Sequence, residues 1–318
     1  MSFFTPTRFR AESARRFAVA SLATAVIAAG SMLAGCHASG GPATNEIVVG
    51  EFASLTGGTA TFGQSVHNGD LLAIEEINAA GGLLGKKLNL MTEDDQSKTE
   101  DAVASVQKLV NSDRAVALLG EVASSRSMAG APIAQSAHVP MITPASTNED
   151  VTKKGDYIFR ICFIDPFQGK TMAHFALGSL GKKRAAVLTD VKQDYSVGLD
   201  EAFKQTFSSS GGTIVSEQSY SSGDKDFHAP LTSIRAANPD VIFVPGYYTE
   251  VSLIVRQARE LGITVPILGG DGWDSPELTK GEEAQFNNTF FSNHFATEDP
   301  DSTVQNFVKK YQAKYHAV

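Results

Sequence analysis

Val139-Pro140-Met141-Ile142-Thr143-Pro144-Ala145-Ser146-Thr147 is the stretch whose reading decides the fold. Val139 to Ile142 is a short apolar run, and Pro144 stops it from continuing as strand or passing straight into helix. Ala145, Ser146 and Thr147 follow, small residues with free backbone groups and two hydroxyls. A buried strand ending in small polar residues is how an open α/β sheet presents a ligand site, at the carboxyl edge of its strands. That reading requires parallel strands and crossover helices on either side.

Upstream, Glu46–Phe52 is an apolar run of strand length, and Leu55–Thr59 is a loop. Val66, Gly69, Ala73, Ile77 and Ala80 fall at helical spacing, with Asn78 and Gly81-Gly82 as the stop. Lys87–Thr92 reads as strand, Ala102 to Val110 as amphipathic helix, Ala115–Gly120 as strand and Ser125–Ala137 as helix. Beyond Asp165-Pro166 the alternation resumes. Phe167–Leu180, Val197–Phe207, Asp226–Ala237 and Val251–Leu261 are helical, and Arg184–Thr189, Thr213–Ser219, Val241–Val244 and Val265–Leu268 are strands. Thr289–His294 is a further strand and Val304–Tyr315 a last amphipathic helix. Strands and helices alternating in this way predict parallel sheets with right-handed crossovers. The fold class is therefore α/β, two doubly wound Rossmann-like lobes joined by a hinge. The first lobe is 46–165, with 296–318 returning to it, and the second is 166–295.

The amino terminus has a different character. Arg8, Arg10, Arg15 and Arg16 precede a charge-free apolar stretch from Phe17 to Leu33, the pattern of a secretory signal peptide over 1–35. It closes with Leu33-Ala34-Gly35-Cys36, which resembles the bacterial lipobox, and residues 36–45 read as a tether. The expectation is a periplasmic or cell-envelope protein held to the membrane only by a lipidated Cys36. Residues 1–35 hold four arginines and one glutamate; without them 23 basic and 34 acidic residues remain, a net charge of −11. That balance argues against nucleic acid as a partner. Cys162 then has no intrachain disulfide partner and reads as a small buried hydrophobe. A remainder of about 280 residues suits two medium-sized lobes.

The strand ends carry the chemistry. In the first lobe, Gly120-Glu121-Val122-Ala123-Ser124-Ser125 leads into a helix, so hydroxyls and unpaired amides converge on one spot suited to a carboxylate. Read as structure alone, Ser124 is an N-cap, a role compatible with anion binding. From the second lobe come Tyr195, Tyr247, Tyr248 and the run Gly269-Gly270-Asp271-Gly272-Trp273-Asp274. An acid among glycines beside the chain's one tryptophan suits a ligand cation in an aromatic-lined cavity; the bland alternative is a surface turn. Carboxylate capture on one lobe and ammonium capture on the other describes an α-amino acid in a cleft.

These pieces resemble the branched-chain amino-acid-type periplasmic binding proteins, the leucine/isoleucine/valine-binding family of ABC importers. The marks are Ile77-Asn78-Ala79-Ala80-Gly81-Gly82, Met141–Thr147, Arg256-Gln257-Ala258-Arg259 before Gly262, and the spacing of the strand-end residues. The resemblance implies a monomeric two-lobed lipoprotein that captures an amino acid and passes it to ABC permease subunits, with no cofactor. It implies that Ser124, Ala145 and Thr147 hold the head group, that Tyr195 closes over it, and that Asp271 takes the ammonium. Phe62, Val122, Ala123 and Tyr247 would face the ligand side chain, with Trp273 adding bulk beside Asp271. Asp271 is one methylene shorter than the glutamate of leucine binders, which leaves an amide, a urea or an aromatic acid as alternative ligands. A ligand-sensing receptor component of the same fold is the alternative role. Family members continue for several elements past the position of Val318, so a shortened chain is expected.

Other signals are weaker. Gly57-Gly58-Thr59-Ala60-Thr61-Phe62-Gly63 resembles a phosphate loop but is followed by Gln64-Ser65 in place of Lys-Ser/Thr; its glycines would let backbone approach a small ligand. Asp94 and Asp95, at strand spacing, should point to opposite faces, one solvated and one towards a loop. The histidines, His67, His138, His174, His228 and His294 among them, lack metal-ligand spacing, so no metal site is expected. Nothing in the sequence composes a catalytic nucleophile and base, and no enzymatic activity is expected.

Overall fold

The computed structural model describes residues 45–317. The leader, Cys36 and almost all of the tether lie outside the described residues. No helix among the described residues is long and apolar enough to cross a membrane.

Ten strands form two sheets. β1 (Glu46–Ala53), β2 (Lys87–Asp94), β3 (Ala117–Leu119), β4 (Met141–Thr143) and β5 (Ile158–Arg160) make the first, in the order β2-β1-β3-β4-β5. β6 (Arg184–Asp190), β7 (Thr213–Tyr220), β8 (Val241–Phe243), β9 (Ile267–Gly269) and β10 (Thr289–Phe291) make the second, ordered β10-β9-β8-β6-β7. Every pairing within both is parallel. Counted along the chain, the two orders are the same, and the direction in which successive strands are added to the sheet reverses at β1/β3 in the first and at β6/β8 in the second. Crevices at such switch points are where doubly wound sheets bind ligands.

The helices are α1 (Ala60–Ala79), α2 (Thr99–Asn111), α3 (Ser124–Ala137), α4 (Asp165–His174), α5 (Asp194–Ser209), α6 (His228–Ala236), α7 (Tyr248–Glu260) and α8 (Ser302–Tyr315). Against one face of the first sheet, Phe52, Leu118, Met141 and Ile158 meet Val106 and Leu109 of α2 and Ala131 of α3. The second sheet is covered on both faces. Phe203 stacks on Phe243 at 4.1 Å on one side, and Leu188 and Ile242 pack with Leu231, Ile254 and Val255 on the other. Each such fully buried large side chain contributes about 1.5–3 kcal/mol. α8 lies on α1: Asn68 Nδ2 donates to the Tyr311 hydroxyl at 3.2 Å, and the Tyr315 hydroxyl donates to the Asn68 carbonyl at 2.8 Å.

Local readings needed correction where packing competes with pattern. β4 is shorter than the Val139–Thr143 run suggests, because residues 139–140 belong to the turn after α3, with the Val139 amide on the Ala134 carbonyl. β5 escaped the sequence reading because Ile158-Phe159-Arg160 is only three residues long, too short to show a period; its ladder to β4 supplies the order. On α1 the buried residues are Gly63 and Ile74, and Ile77 is 40% exposed. Gly63 is required for packing and not for a ligand: a Cβ there would lie 2.0 Å from the Ser54 carbonyl oxygen.

The inward face of α1 is partly polar. Glu51 is fully buried and accepts from the Thr92 hydroxyl at 2.7 Å; His67 Nδ1 is also 2.7 Å from its Oε2. Burial first, then the neighbouring Glu51 carboxylate, push Asp70 up to about 7. Its folded value exceeds the unfolded one, so the stability it contributes is fully present below about pH 4 and is lost as pH rises through about 7. Asp70→Asn should therefore stabilise the protein at pH 8 by about 2 kcal/mol, roughly half of what 1.36 kcal/mol per unit gives over the shift from 3.8 to about 7, because the side chain is partly exposed to solvent. It should also flatten the fall in urea stability between pH 5 and pH 8; equal slopes in variant and wild type would rule the assignment out.

Candidate functional site

The first-lobe wall rests on a buried ion network beneath the carboxyl ends of β1, β2 and β3. Glu121, fully buried, accepts from the Ser54 amide (3.1 Å) and hydroxyl (2.9 Å) through Oε1. Its Oε2 accepts from the Ala123 amide at 2.6 Å and Arg126 Nε at 2.8 Å. Arg126 reaches on to the Thr59 hydroxyl at 2.7 Å, tying the start of α3 to the loop that launches α1. Asp95, fully buried, joins through the Ser54 hydroxyl at 2.7 Å. Burial, then Glu121, raise Asp95 to about 7 against the pull of Arg126. Neither Asp94 nor Asp95 is therefore a simple solvated acid; Asp94 instead ties down the Leu55 and Thr56 amides.

On that base the turn 120–125 delivers its groups to the cleft. α3 begins at Ser124, so the N-cap is Ala123 and Ser124 is the first helical residue, a correction to its reading as a cap. The Ser124 hydroxyl accepts from the Asn148 amide at 3.2 Å, and the amides of Ser124 and Ser125 have no acceptor among the described residues. The helix dipole adds positive potential at the same point. Next to it, the Thr143 hydroxyl holds the Ser146 amide at 2.9 Å, and the Ser146 hydroxyl bridges the Glu121 and Val122 carbonyls at 2.8 and 3.0 Å. These bonds set the Ala145–Thr147 turn. Thr147 is 1% exposed, and its Oγ1 has no hydrogen-bond partner among the described residues. A buried polar atom left without a partner costs about 1–3 kcal/mol, which marks it as a place for a ligand or water.

The opposing wall comes from the switch point between β6 and β8. Tyr195, in the first turn of α5, stacks on Tyr247 with ring centroids 5.1 Å apart. Its hydroxyl accepts from the Gly272 amide at 3.1 Å. Phe62 of α1 reaches across and meets Tyr247 and Tyr248 edge-on, at 6.2 and 5.1 Å. Ala123 packs with the same second-lobe cluster, while Val122 stays half-buried. Trp273, expected to line the cavity, does not. Its ring is fully buried in the second-lobe core against Gly269, with Nε1 donating to the Val244 carbonyl at 3.0 Å. The tryptophan supports the Asp271 turn from behind.

Asp271 lies at the edge of this wall, its side chain 10% exposed. Its amide donates to Gln168 Oε1 at 2.7 Å, its Oδ2 is 2.9 Å from His294 Nε2, and Oδ1 has no partner among the described residues. His294 and Gln168 were missed by sequence reading. One lies past the end of β10 and the other inside α4, and only the fold brings them to Asp271. Asp165 is the third missed residue, 2% exposed, with neither carboxyl oxygen bonded in the geometry. Burial above all, with Asp271 adding and Arg160 opposing, pushes it up to about 8.

The two lobes touch directly around these residues. The Ser125 hydroxyl donates to Asp194 Oδ2 at 2.8 Å and lies 2.9 Å from the Asp194 amide. Asn148 Nδ2 donates to the Asp194 carbonyl at 2.8 Å, and Thr61 and Ser275 hydroxyls meet at 3.0 Å on the other rim. The lobes are thus closed on each other. Burial raises the Tyr195 and Tyr247 phenols, and pushes the half-buried Cys162 thiol up to about 12. A separate concavity lined by Lys182, Arg184, Asp240 and Pro266 opens at the far, amino-terminal edge of the second sheet.

Two lobes with matching sheets, closed on each other with polar groups gathered at their switch points, have the architecture of a two-lobed solute-binding protein. Residues 46–318 match the family model for periplasmic binding proteins, and the chain belongs to that family. It is 35% identical over 259 residues to the Leu/Ile/Val-binding protein BraC3 of Rhizobium johnstonii, covering 81% of this chain and 70% of that protein. Among solved structures it is similar to the leucine binding protein LivK of Thermotoga maritima, with 41% identity and a TM-score of 0.82 over 85% of this chain and 77% of that one. It is also similar to LivJ of Streptococcus pneumoniae in complex with isoleucine, with 35% identity and a TM-score of 0.80 over 86% and 78%. The chain spans 62% to 70% of the length of the first curated relatives it matches.

Proposed function

We propose that this protein captures an amino acid, of the branched-chain aliphatic class, in the cleft between its lobes and passes it to the permease of an ABC importer. One observation carries the reading. The first lobe offers free amides at the start of α3, and the second offers Asp271 with an unpartnered, buried carboxylate oxygen. A zwitterion is costly to bury unless each of its charges meets a partner, and these two groups supply one partner each. Ser124, Ala145 and Thr147 would hold the carboxylate and head group, Tyr195 would close over it, and Phe62, Val122, Ala123 and Tyr247 would contact the side chain. The names of BraC3, LivK and LivJ support the aliphatic class. Ligand contacts to both walls would favour the closed lobes by population shift, with hydrogen bonds such as Ser125–Asp194 formed only on closing. In the same reading the protein acts as a monomer and is held at the membrane through a lipidated Cys36.

A second reading, an amide or urea as ligand, is favoured by one feature: His294 already lies against one Asp271 oxygen, so a single N–H donor suffices for the other. Calorimetry across aliphatic amino acids, amides and aromatic acids separates the two. The expected result is a Kd in the micromolar range or tighter for at least one branched-chain amino acid. Binding of amides or aromatic acids with no amino acid bound would overturn the first reading.

A further inference from the structure

We infer that His294 is a specificity-determining residue of the cleft, which holds one oxygen of Asp271 so that the other is aimed to select ligands carrying an amine over the same skeleton without one. This rests on the amino-acid reading given above. Asp271 has two equivalent oxygens on a rotatable torsion. In the closed protein, Oδ2 is 2.9 Å from His294 Nε2, and Oδ1 is buried and unpartnered. With its proton on Nε2, the imidazole donates to Oδ2, fixes the torsion and gives Oδ1 one direction. The imidazole is itself braced. Its ring stacks on Phe163 with centroids 4.2 Å apart and planes 14° from parallel.

The bracing also locates His294 at the joint. Phe163 lies in the connection that leaves the first lobe just before α4, and His294 lies in the connection that leaves β10. Gln168 ties the two together, since its Oε1 accepts from both the Asp271 amide at 2.7 Å and the Ser292 hydroxyl at 2.6 Å. Asp271 is therefore fixed through its backbone by Gln168 and through its side chain by His294. Outer partners that lock a binding group in this way determine how sharply it discriminates. A site built to pair with a donor rejects the analogue that lacks it, because the buried acceptor is left unpaired. Without His294, Asp271 can turn its free oxygen towards solvent, and the penalty on the amine-free analogue falls.

The test is calorimetry on the whole protein with L-leucine and with 4-methylpentanoate, its amine-free counterpart. His294→Ala removes ring and donor, His294→Phe keeps a ring to stack on Phe163 without the donor, and His294→Gln keeps a donor. The ratio of the two Kd values should fall about 10-fold or more in His294→Ala and His294→Phe, with partial recovery in His294→Gln. His294 is 30% exposed in its side chain, and unfolding curves on each variant check that the fold persists. Equal weakening for both ligands would make the residue merely structural and overturn the inference, as would an unchanged ratio. Wild type that binds neither L-leucine nor any other amino acid overturns the amino-acid reading and this inference together. Wild type that binds with a ratio insensitive to His294 overturns the inference alone.

Discussion

Asp271→Ala should weaken amino-acid binding by about 3–5 kcal/mol, the loss seen when one member of a buried charge pair is removed and the other stays. That is a factor of about 10² to 10³ or more in Kd. The expectation follows from burial. The Asp271 side chain is 10% exposed and its Oδ1 has no other partner among the described residues, so no water-exposed route compensates a ligand ammonium once the carboxylate is gone. Asp271→Asn should fall between alanine and wild type, since it keeps an acceptor oxygen and loses the charge. Titration calorimetry gives the answer directly. Near-wild-type affinity in Asp271→Ala would remove this residue from the site and leave the ammonium to Asp165 or to solvent.

Arg126→Ala should have the largest effect on stability, about 3–5 kcal/mol in the free energy of unfolding. Arg126 is 3% exposed and is the cation facing both Glu121 and Asp95, which are fully buried. Truncating it leaves those carboxylates side by side without a counter-charge. It also releases Thr59 and so loosens the loop that carries Phe62 to the cleft. Pairing Arg126→Met with Glu121→Gln should recover part of the loss, because the stranded Glu121 charge goes and the glutamine oxygen still accepts from Ser54, although its NH2 group cannot accept from the Ala123 amide. Urea unfolding at fixed pH measures both. A single-variant loss below about 1 kcal/mol would mean that water enters the network and screens it.

How far the sequence could be read is set by the range over which each interaction acts. The fold class was legible because alternation of apolar strands with amphipathic helices is a local pattern, and parallel order with right-handed crossovers follows from it. The strand-end residues were legible for the same reason: Ser124, Thr147, Tyr195, Tyr247 and Asp271 each lie just past an apolar run. Trp273 was misread because its neighbours in the chain are polar and glycine-rich, whereas its neighbours in space are the core residues behind β9. Glu121 and Arg126 are five residues apart and looked like ordinary charges; only the approach of Ser54 and Asp95 from two other strands makes them a buried network.

By itself, then, the amino-acid order determined two doubly wound lobes and small polar residues at the carboxyl ends of their strands, Ala145–Thr147 among them. Those are consequences of periodicity and of residue types that end strands. The tertiary structure alone decided which polar groups are satisfied and which are left for a ligand. It turned Trp273 into the core, placed His294 and Gln168 on Asp271, and buried Asp165 beside Thr147. The physical reason is desolvation. The energy of a charge or hydroxyl is governed by what surrounds it within a few ångströms, and those surroundings are assembled from distant segments, as with His294 and Gln168, which meet Asp271 from 23 and 103 residues away.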